Sequence, residues 1–341
     1  MTSEYIEKII ECEFQRVQTT DCDCSVADGA MGVALFMIWY GQHKNKTKYI
    51  DDGLHLIQTR CLNLSGNDPL DLHKGQVGIA VGILWLTLSK VISTPVSVML
   101  QQVDDNIFKN ITDRLSRIEG KHIGTLIDIA SYLALRLKYH TFEEIDQRIF
   151  SKLLSKIINT IYPSFYGALT QEVYPGGYSY NLPRFLLLLA CSFGNNFDSR
   201  LNHIIDEIQP HVLARIPYMV SNRLALSNAI YTLAQKKSLH YRWMKHAKLL
   251  TESIDCMDLD YEYKTNQMSL YNGMGWLAIQ LLYKNEYCSI LKRNLFDIIK
   301  VKLDRSCFSN ITYNELVERN FVGLYGILGF IFISLKFKQE Q

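Results

Sequence analysis

Asp28-Gly29-Ala30-Met31-Gly32-Val33-Ala34-Leu35 opens an apolar run on a pair of glycines, and His73-Lys74-Gly75-Gln76-Val77-Gly78-Ile79-Ala80 repeats the pattern. Further copies are Glu119-Gly120-Lys121-His122-Ile123-Gly124, Tyr174-Pro175-Gly176-Gly177-Tyr178-Ser179, Tyr271-Asn272-Gly273-Met274-Gly275-Trp276-Leu277 and Phe321-Val322-Gly323-Leu324-Tyr325-Gly326. A degenerate copy is Tyr218-Met219-Val220-Ser221-Asn222-Arg223-Leu224-Ala225. Counted from Gly29, Gly75, Gly120, Gly176, Ser221, Gly273 and Gly323, the steps are 46, 45, 56, 45, 52 and 50 residues. A period of this size marks a repeat architecture.

Behind the heads, Val33–Tyr40, Ile79–Leu88, Ile127–Leu137, Leu186–Ala190, Leu224–Leu233, Leu277–Tyr283 and Ile327–Leu335 are apolar almost all round, as helices buried on every side are. Between them lie charged segments of helical period: Glu4–Arg16, Lys48–Leu62, Val96–Leu115, Phe142–Tyr162, Asp198–Ala214, Arg242–Met257 and Tyr287–Leu303. In Phe142–Tyr162 the residues Ile145, Ile149, Leu153, Ile157 and Ile161, flanked by Leu154 and Ile158, are expected to form one buried stripe. Wholly apolar helices alternating with amphipathic ones predict an all-α fold, an (α/α)7 barrel or toroid of seven hairpins. A single domain over residues 1–341 follows from a repeat that runs the length of the chain. Seven helix N-termini, with unpaired N–H groups and positive dipole ends, would surround one mouth, and function is expected there.

The 341 residues include 36 basic and 34 acidic side chains, a net charge of +2 without the basic footprint of a nucleic-acid binder. Met1–Lys8 has no signal-peptide pattern, and the apolar tracts near Leu186–Ala190 and Phe330–Leu335 are shorter than a bilayer span of about 20 residues. The chain is read as cytoplasmic and not membrane-spanning. Eight cysteines stand at 12, 22, 24, 61, 191, 256, 288 and 307, and Cys22-Asp23-Cys24 lacks the spacing of a zinc knuckle. Free thiols are the expectation for such a set.

The seven G-x-x-G-type heads in register resemble the lanthionine synthetase C-like family, across essentially the whole chain. Ile118-Glu119-Gly120 with Tyr132-Leu133 behind it is similar to the family's third repeat. The resemblance implies a seven-fold α/α toroid, a place in the maturation of ribosomally made peptides in bacteria, and a peptide or maturation enzyme as partner. It also implies a zinc site in active members: a cysteine in a Trp-Cys-Tyr-Gly motif at the fifth head, and Cys-His-Gly at the sixth. Zinc there lowers the pKa of the substrate thiol, helped by an acid of the third repeat and a histidine of the fourth. In this sequence the fifth motif falls on Tyr218-Met219-Val220-Ser221, where Met219 replaces the cysteine, and Arg215 matches an arginine preceding the motif. The sixth falls on Leu270-Tyr271-Asn272 or Tyr271-Asn272-Gly273, the third-repeat acid on Ser116, and the fourth-repeat histidine on Tyr174-Pro175. No zinc ligand and no other cofactor is therefore expected, and the catalytic residues are unassigned.

Cavity and peptide-binding candidates are the polar residues beside the heads. His73, Lys74 and His122 offer imidazoles and an amine to an anionic group, or lie exposed at the rim. Tyr178, Tyr180, Asn181 and Arg184 line the mouth, or pack the loop before a helix whose first turn Pro183 marks. Arg215, Asn222 and Arg223 make the fifth head the most polar one, although Arg223 is equally suited to pair with a neighbouring helix. Tyr271, Asn272 and Arg319 precede the last two glycines, and Asp28 is expected to cap the first helix. The leading reading is a degenerate, zinc-less cyclase that binds a precursor peptide or a partner enzyme. The alternatives are an active cyclase using non-zinc residues and a glycosidase-like toroid, which needs two facing carboxylates from among Asp28, Glu119 and Glu172.

Overall fold

A computed structural model describes residues 1–19, 23–62, 68–114, 123–139, 144–174, 176–255, 258, 262–263, 269–282, 297–301 and 311–339. Among these residues every regular element is a helix. The helices are α1 (Ser3–Thr19), α2 (Ala30–Lys44), α3 (Thr47–Leu56), α4 (Gln76–Leu88), α5 (Val96–Arg114), α6 (Ile123–Tyr139), α7 (Glu144–Ile161), α8 (Asn181–Ser192), α9 (Asp198–Leu213), α10 (Val220–Ala234), α11 (Tyr241–Glu252), α12 (Met274–Leu282), α13 (Tyr313–Glu318) and α14 (Ile327–Gln339). None is long and apolar enough to cross a membrane.

The chain packs as two compact units, one of Met1–Arg114, Met268–Leu270 and Arg305–Gln341, the other of Leu115–Gln267 and Tyr271–Asp304. In the first unit α2 is the central element. Its apolar surface has no polar side to turn outward, and it packs against α1, α3, α4 and α14, burying Met31, Val33, Phe36 and Ile38. In the second, the apolar helices α6, α8, α10 and α12 pack in succession, while α7, α9 and α11 each pair with the inner helix before them. Over the described residues every inner segment expected from the sequence is thus a helix, and inner helices stack on inner helices.

The head glycines make that stacking possible. The N-terminus of α2 takes no side-chain cap. Gly29 is its N-cap residue, and the N–H groups of Ala30 and Gly32 donate to the carbonyls of Asp23 and Ser25 (both 3.1 Å). The loop chain lies so close that a Cβ on Gly32 would stand 2.1 Å from the Val26 carbonyl oxygen, and one on Gly78 would stand 2.0 Å from that of Leu72. This corrects the expectation for Asp28. Its carboxylate accepts the Ser25 hydroxyl at 3.1 Å, because loop carbonyls have already satisfied the helix end.

The buried stripe expected on α7 is also corrected. Ile145 and Ile149 are 70% and 45% exposed, and the core face is Phe150, Leu153, Leu154, Ile157, Ile158 and Ile161. At 3.6 residues per turn, each four-residue step overshoots by about 40°. Five residues spaced by four therefore wind around the helix rather than along one face.

Candidate functional site

The second unit gathers heads three to six into one polar cluster. The Tyr178 N–H donates to the Tyr271 carbonyl at 2.8 Å, and Gly177 lies against the backbone of Tyr271 and Asn272, which joins the fourth head to the sixth. The Tyr178 hydroxyl donates to Asp128 of α6 at 2.6 Å. Arg184 of α8 pairs with the same carboxylate, donates to Asn181 Oδ1 at 2.9 Å and the Gly124 carbonyl at 3.0 Å, and lies 4.0 Å over the Tyr178 ring. Pro183 stands in the first turn of α8, as the sequence implied. Trp276 meets the Tyr178 ring edge-on at 5.7 Å, with the Tyr271 ring 6.0 Å away. Beside this aromatic wall, Trp276 Nε1 and Arg184 Nε are buried N–H donors with no acceptor among the described residues. Buried donors of this kind call for an acceptor oxygen.

Two glutamates close the fifth head. Glu262 accepts the N–H groups of Val220 (2.8 Å) and Ser221 (3.3 Å) and the Ser221 hydroxyl. Glu172 accepts the N–H groups of Tyr218 (2.9 Å) and Met219 (3.2 Å) and the Asn222 amide at 3.1 Å. Carboxylates at a helix N-terminus meet both its unpaired donors and its dipole. Glu262, Tyr174, Tyr218, Met219 and Arg223 line a cavity of about 210 Å³ here. Burial pushes the Tyr263 phenol well above its ordinary value and lowers the His246 imidazole, so neither is charged at neutral pH.

Zinc does not suit this donor set. The position that the family resemblance gives to a cysteine carries a thioether, and the oxygens of Glu172 and Glu262 are engaged by N–H groups and the Ser221 hydroxyl. A zinc site needs three or four thiolate, imidazole or carboxylate donors free to converge. Among the described residues no group of three or more His, Cys, Asp or Glu is placed to hold a metal ion. Cys22, Cys256, Cys288 and Cys307 lie outside the described residues.

The remaining sequence candidates separate. Tyr180 is buried as the N-cap residue of α8, its phenol pushed up by burial. Asn222 is buried against Glu172, while Arg215 is exposed. Arg223 donates to the carbonyls of Pro217 and Ser253 (both 2.7 Å), bracing the head against the end of α11. In the first unit, His73 Nδ1 is bonded to the Tyr325 hydroxyl, and its carbonyl accepts from Val26 and Ala27. Lys74 is exposed, as is Arg319 at the end of α13. His122 lies outside the described residues. The sequence reading missed Asp128, Glu262 and Trp276. Asp128 was visible as the one acid inside an otherwise apolar helix.

The first unit also holds a thiol pair. The Cys24 thiol donates to the Arg60 carbonyl at 2.8 Å, and the buried Cys61 thiol beside it, by hydrogen bonding to Cys24, lowers the Cys24 pKa to about 7 while its own rises. Because the Cys24 pKa is depressed, its thiolate forms as pH rises through about 7, below the ~8.5 of a free cysteine. Peptide-resolved alkylation of Cys24 should be half-maximal near that pH, and Cys61→Ala should move the midpoint upward. A midpoint that ignores Cys61→Ala would remove the assigned cause.

Alternating buried and amphipathic helices, with inner helices stacked in succession, define an all-α fold of α/α hairpins. Nisin cyclase is a solved structure with this fold: it aligns over 99% of this chain and 94% of its own with a TM-score of 0.61, at 16% sequence identity. The likeness shows the fold, the helical toroid class, and at that level bears out the resemblance drawn from the G-x-x-G heads. No family model matches the sequence, and no curated protein matches it.

Proposed function

We propose that this chain is a lanthionine synthetase C-like protein of ribosomal peptide maturation, a single cytoplasmic domain that binds a precursor peptide without zinc. The observation that carries this reading is the fifth head, where Met219 stands at the cysteine position and Glu172 and Glu262 cap the helix. The peptide's place is the cluster of Tyr178, Tyr271 and Trp276, whose buried N–H donors suit a peptide carbonyl. Catalysis by facing carboxylates finds no support at Glu172, whose two oxygens both accept N–H groups.

The test is titration of the full chain with synthetic precursor peptides encoded beside its gene, alongside elemental analysis and incubation with the dehydrated peptides. Expected are saturable binding, sub-stoichiometric zinc and no thioether rings. Trp276→Phe, which deletes one N–H donor, should weaken binding about three- to tenfold. One zinc held per chain together with ring formation would overturn the reading, as would the absence of any peptide binding.

A further inference from the structure

On the outer side of the second unit, a groove of about 630 Å³ runs along α7 and is walled on its other side by the loop after α8. Arg148, Lys152 and Lys156 stand along it at four-residue steps, and no carboxylate is among the residues lining it. Like charges at that spacing destabilise a helix slightly. Lys152 and Lys156 are exposed and form no ion pair with any described residue. A fourth cation, Arg200, donates to Asn159 at the same edge at 2.8 Å.

The facing wall is held in shape. Gly194 and Asn196 take left-handed backbone angles (φ 92° and 64°), and the buried Asn195 donates its amide to the Ser192 carbonyl at 2.9 Å. The Ser151 hydroxyl of α7 donates to the Asn195 carbonyl at 3.2 Å, tying wall to floor. A preformed wall lowers the ordering cost of binding. Exposed Asn196 and half-buried Phe197 present an amide and a ring beside the cationic row. From Arg148 to Thr160 the helix extends ~18 Å at ~1.5 Å per residue, the reach of about five or six residues of extended peptide.

We infer that this groove binds an acidic peptide segment, lying extended along α7 with its carboxylates on Lys152 and Lys156. A short strand of carboxylates matches the row in charge and length, and the Asn196 amide suits a peptide backbone.

The experiment is fluorescence anisotropy of a labelled oligoglutamate peptide of about six residues with the full chain. Saturable binding is expected, weakening with salt as the screening length falls from about 30 Å at 0.01 M to about 10 Å at 0.1 M. Lys152→Glu with Lys156→Glu should weaken it by at least about tenfold, and Lys152→Arg with Lys156→Arg should preserve it. Both pairs alter exposed side chains, and circular dichroism checks that the fold is intact. No saturable binding, or equal affinity in the charge-reversed protein, overturns the inference. So does displacement of the peptide by inorganic phosphate or a single-stranded oligonucleotide at matched charge, which would make the row a phosphate site.

Discussion

Asp128→Ala should lower the unfolding free energy by about 3–5 kcal/mol, the cost of leaving one member of a buried ion pair without the other. Both side chains are buried, with Arg184 9% and Asp128 4% exposed. The carboxylate also accepts the Tyr178 hydroxyl, so its loss strands a guanidinium and a phenol together. The pair links α6 to α8, and the phenol belongs to the head that meets Tyr271, so the loss should be felt across the polar cluster. Guanidinium denaturation would show it as a lower midpoint. Replacing both partners by apolar residues, Asp128→Leu with Arg184→Met, should cost less than the single change, because no charge is then left buried. A single variant within about 1 kcal/mol of the parent would mean that Arg184 finds water and that the pair is not structural.

Gly78→Ala should cost about 3 kcal/mol, at the upper end of overpacking penalties, because the obstacle is backbone. The added Cβ would stand 2.0 Å from the Leu72 carbonyl oxygen, and 3.0 Å from both its carbonyl carbon and Val26 Cγ2. The loop cannot retreat cheaply. It is fixed by the bond from the Gln76 N–H to the Pro69 carbonyl at 2.8 Å and by the two bonds that Val26 and Ala27 make to the His73 carbonyl. Gly124 is the control. Among the described residues its Cβ would meet only Arg184 and Asn181 side-chain atoms at 3.5 and 3.7 Å, so alanine should be neutral or add up to about 1 kcal/mol of helix propensity. Equal denaturation midpoints for the two variants would remove the close-approach explanation of the G-x-x-G heads.

The inner helices were legible because a helix without a polar face has only one place to go, and Val33–Tyr40 or Leu224–Leu233 announce this in ten letters or fewer. Register was legible at Gly29 and Gly75 for the same local reason. What was not legible depends on partners distant in sequence. Asp128 meets Arg184 across 56 residues, and Glu262 caps a helix that begins 42 residues before it, so no motif at the head reveals the cap. Asp28 looked like a cap because it precedes a helix, yet backbone carbonyls hold that post. The fourfold spacing on α7 misled for a geometric reason, since Ile145 and Ile149 cannot share a face with Ile161.

The first unit is assembled from both ends of the chain, and its closure rests on bonds between them. Glu13 of α1 accepts the Tyr313 hydroxyl at 2.8 Å and the Gly323 N–H at 3.0 Å, and Tyr325 donates its N–H to the Ala27 carbonyl at 2.9 Å. During synthesis on the ribosome, α1 and α2 emerge some three hundred residues before these partners do. At about 5–20 residues per second, that is a wait of roughly 15–60 seconds. The nascent first half must pass that interval before α14 can cover its side of α2.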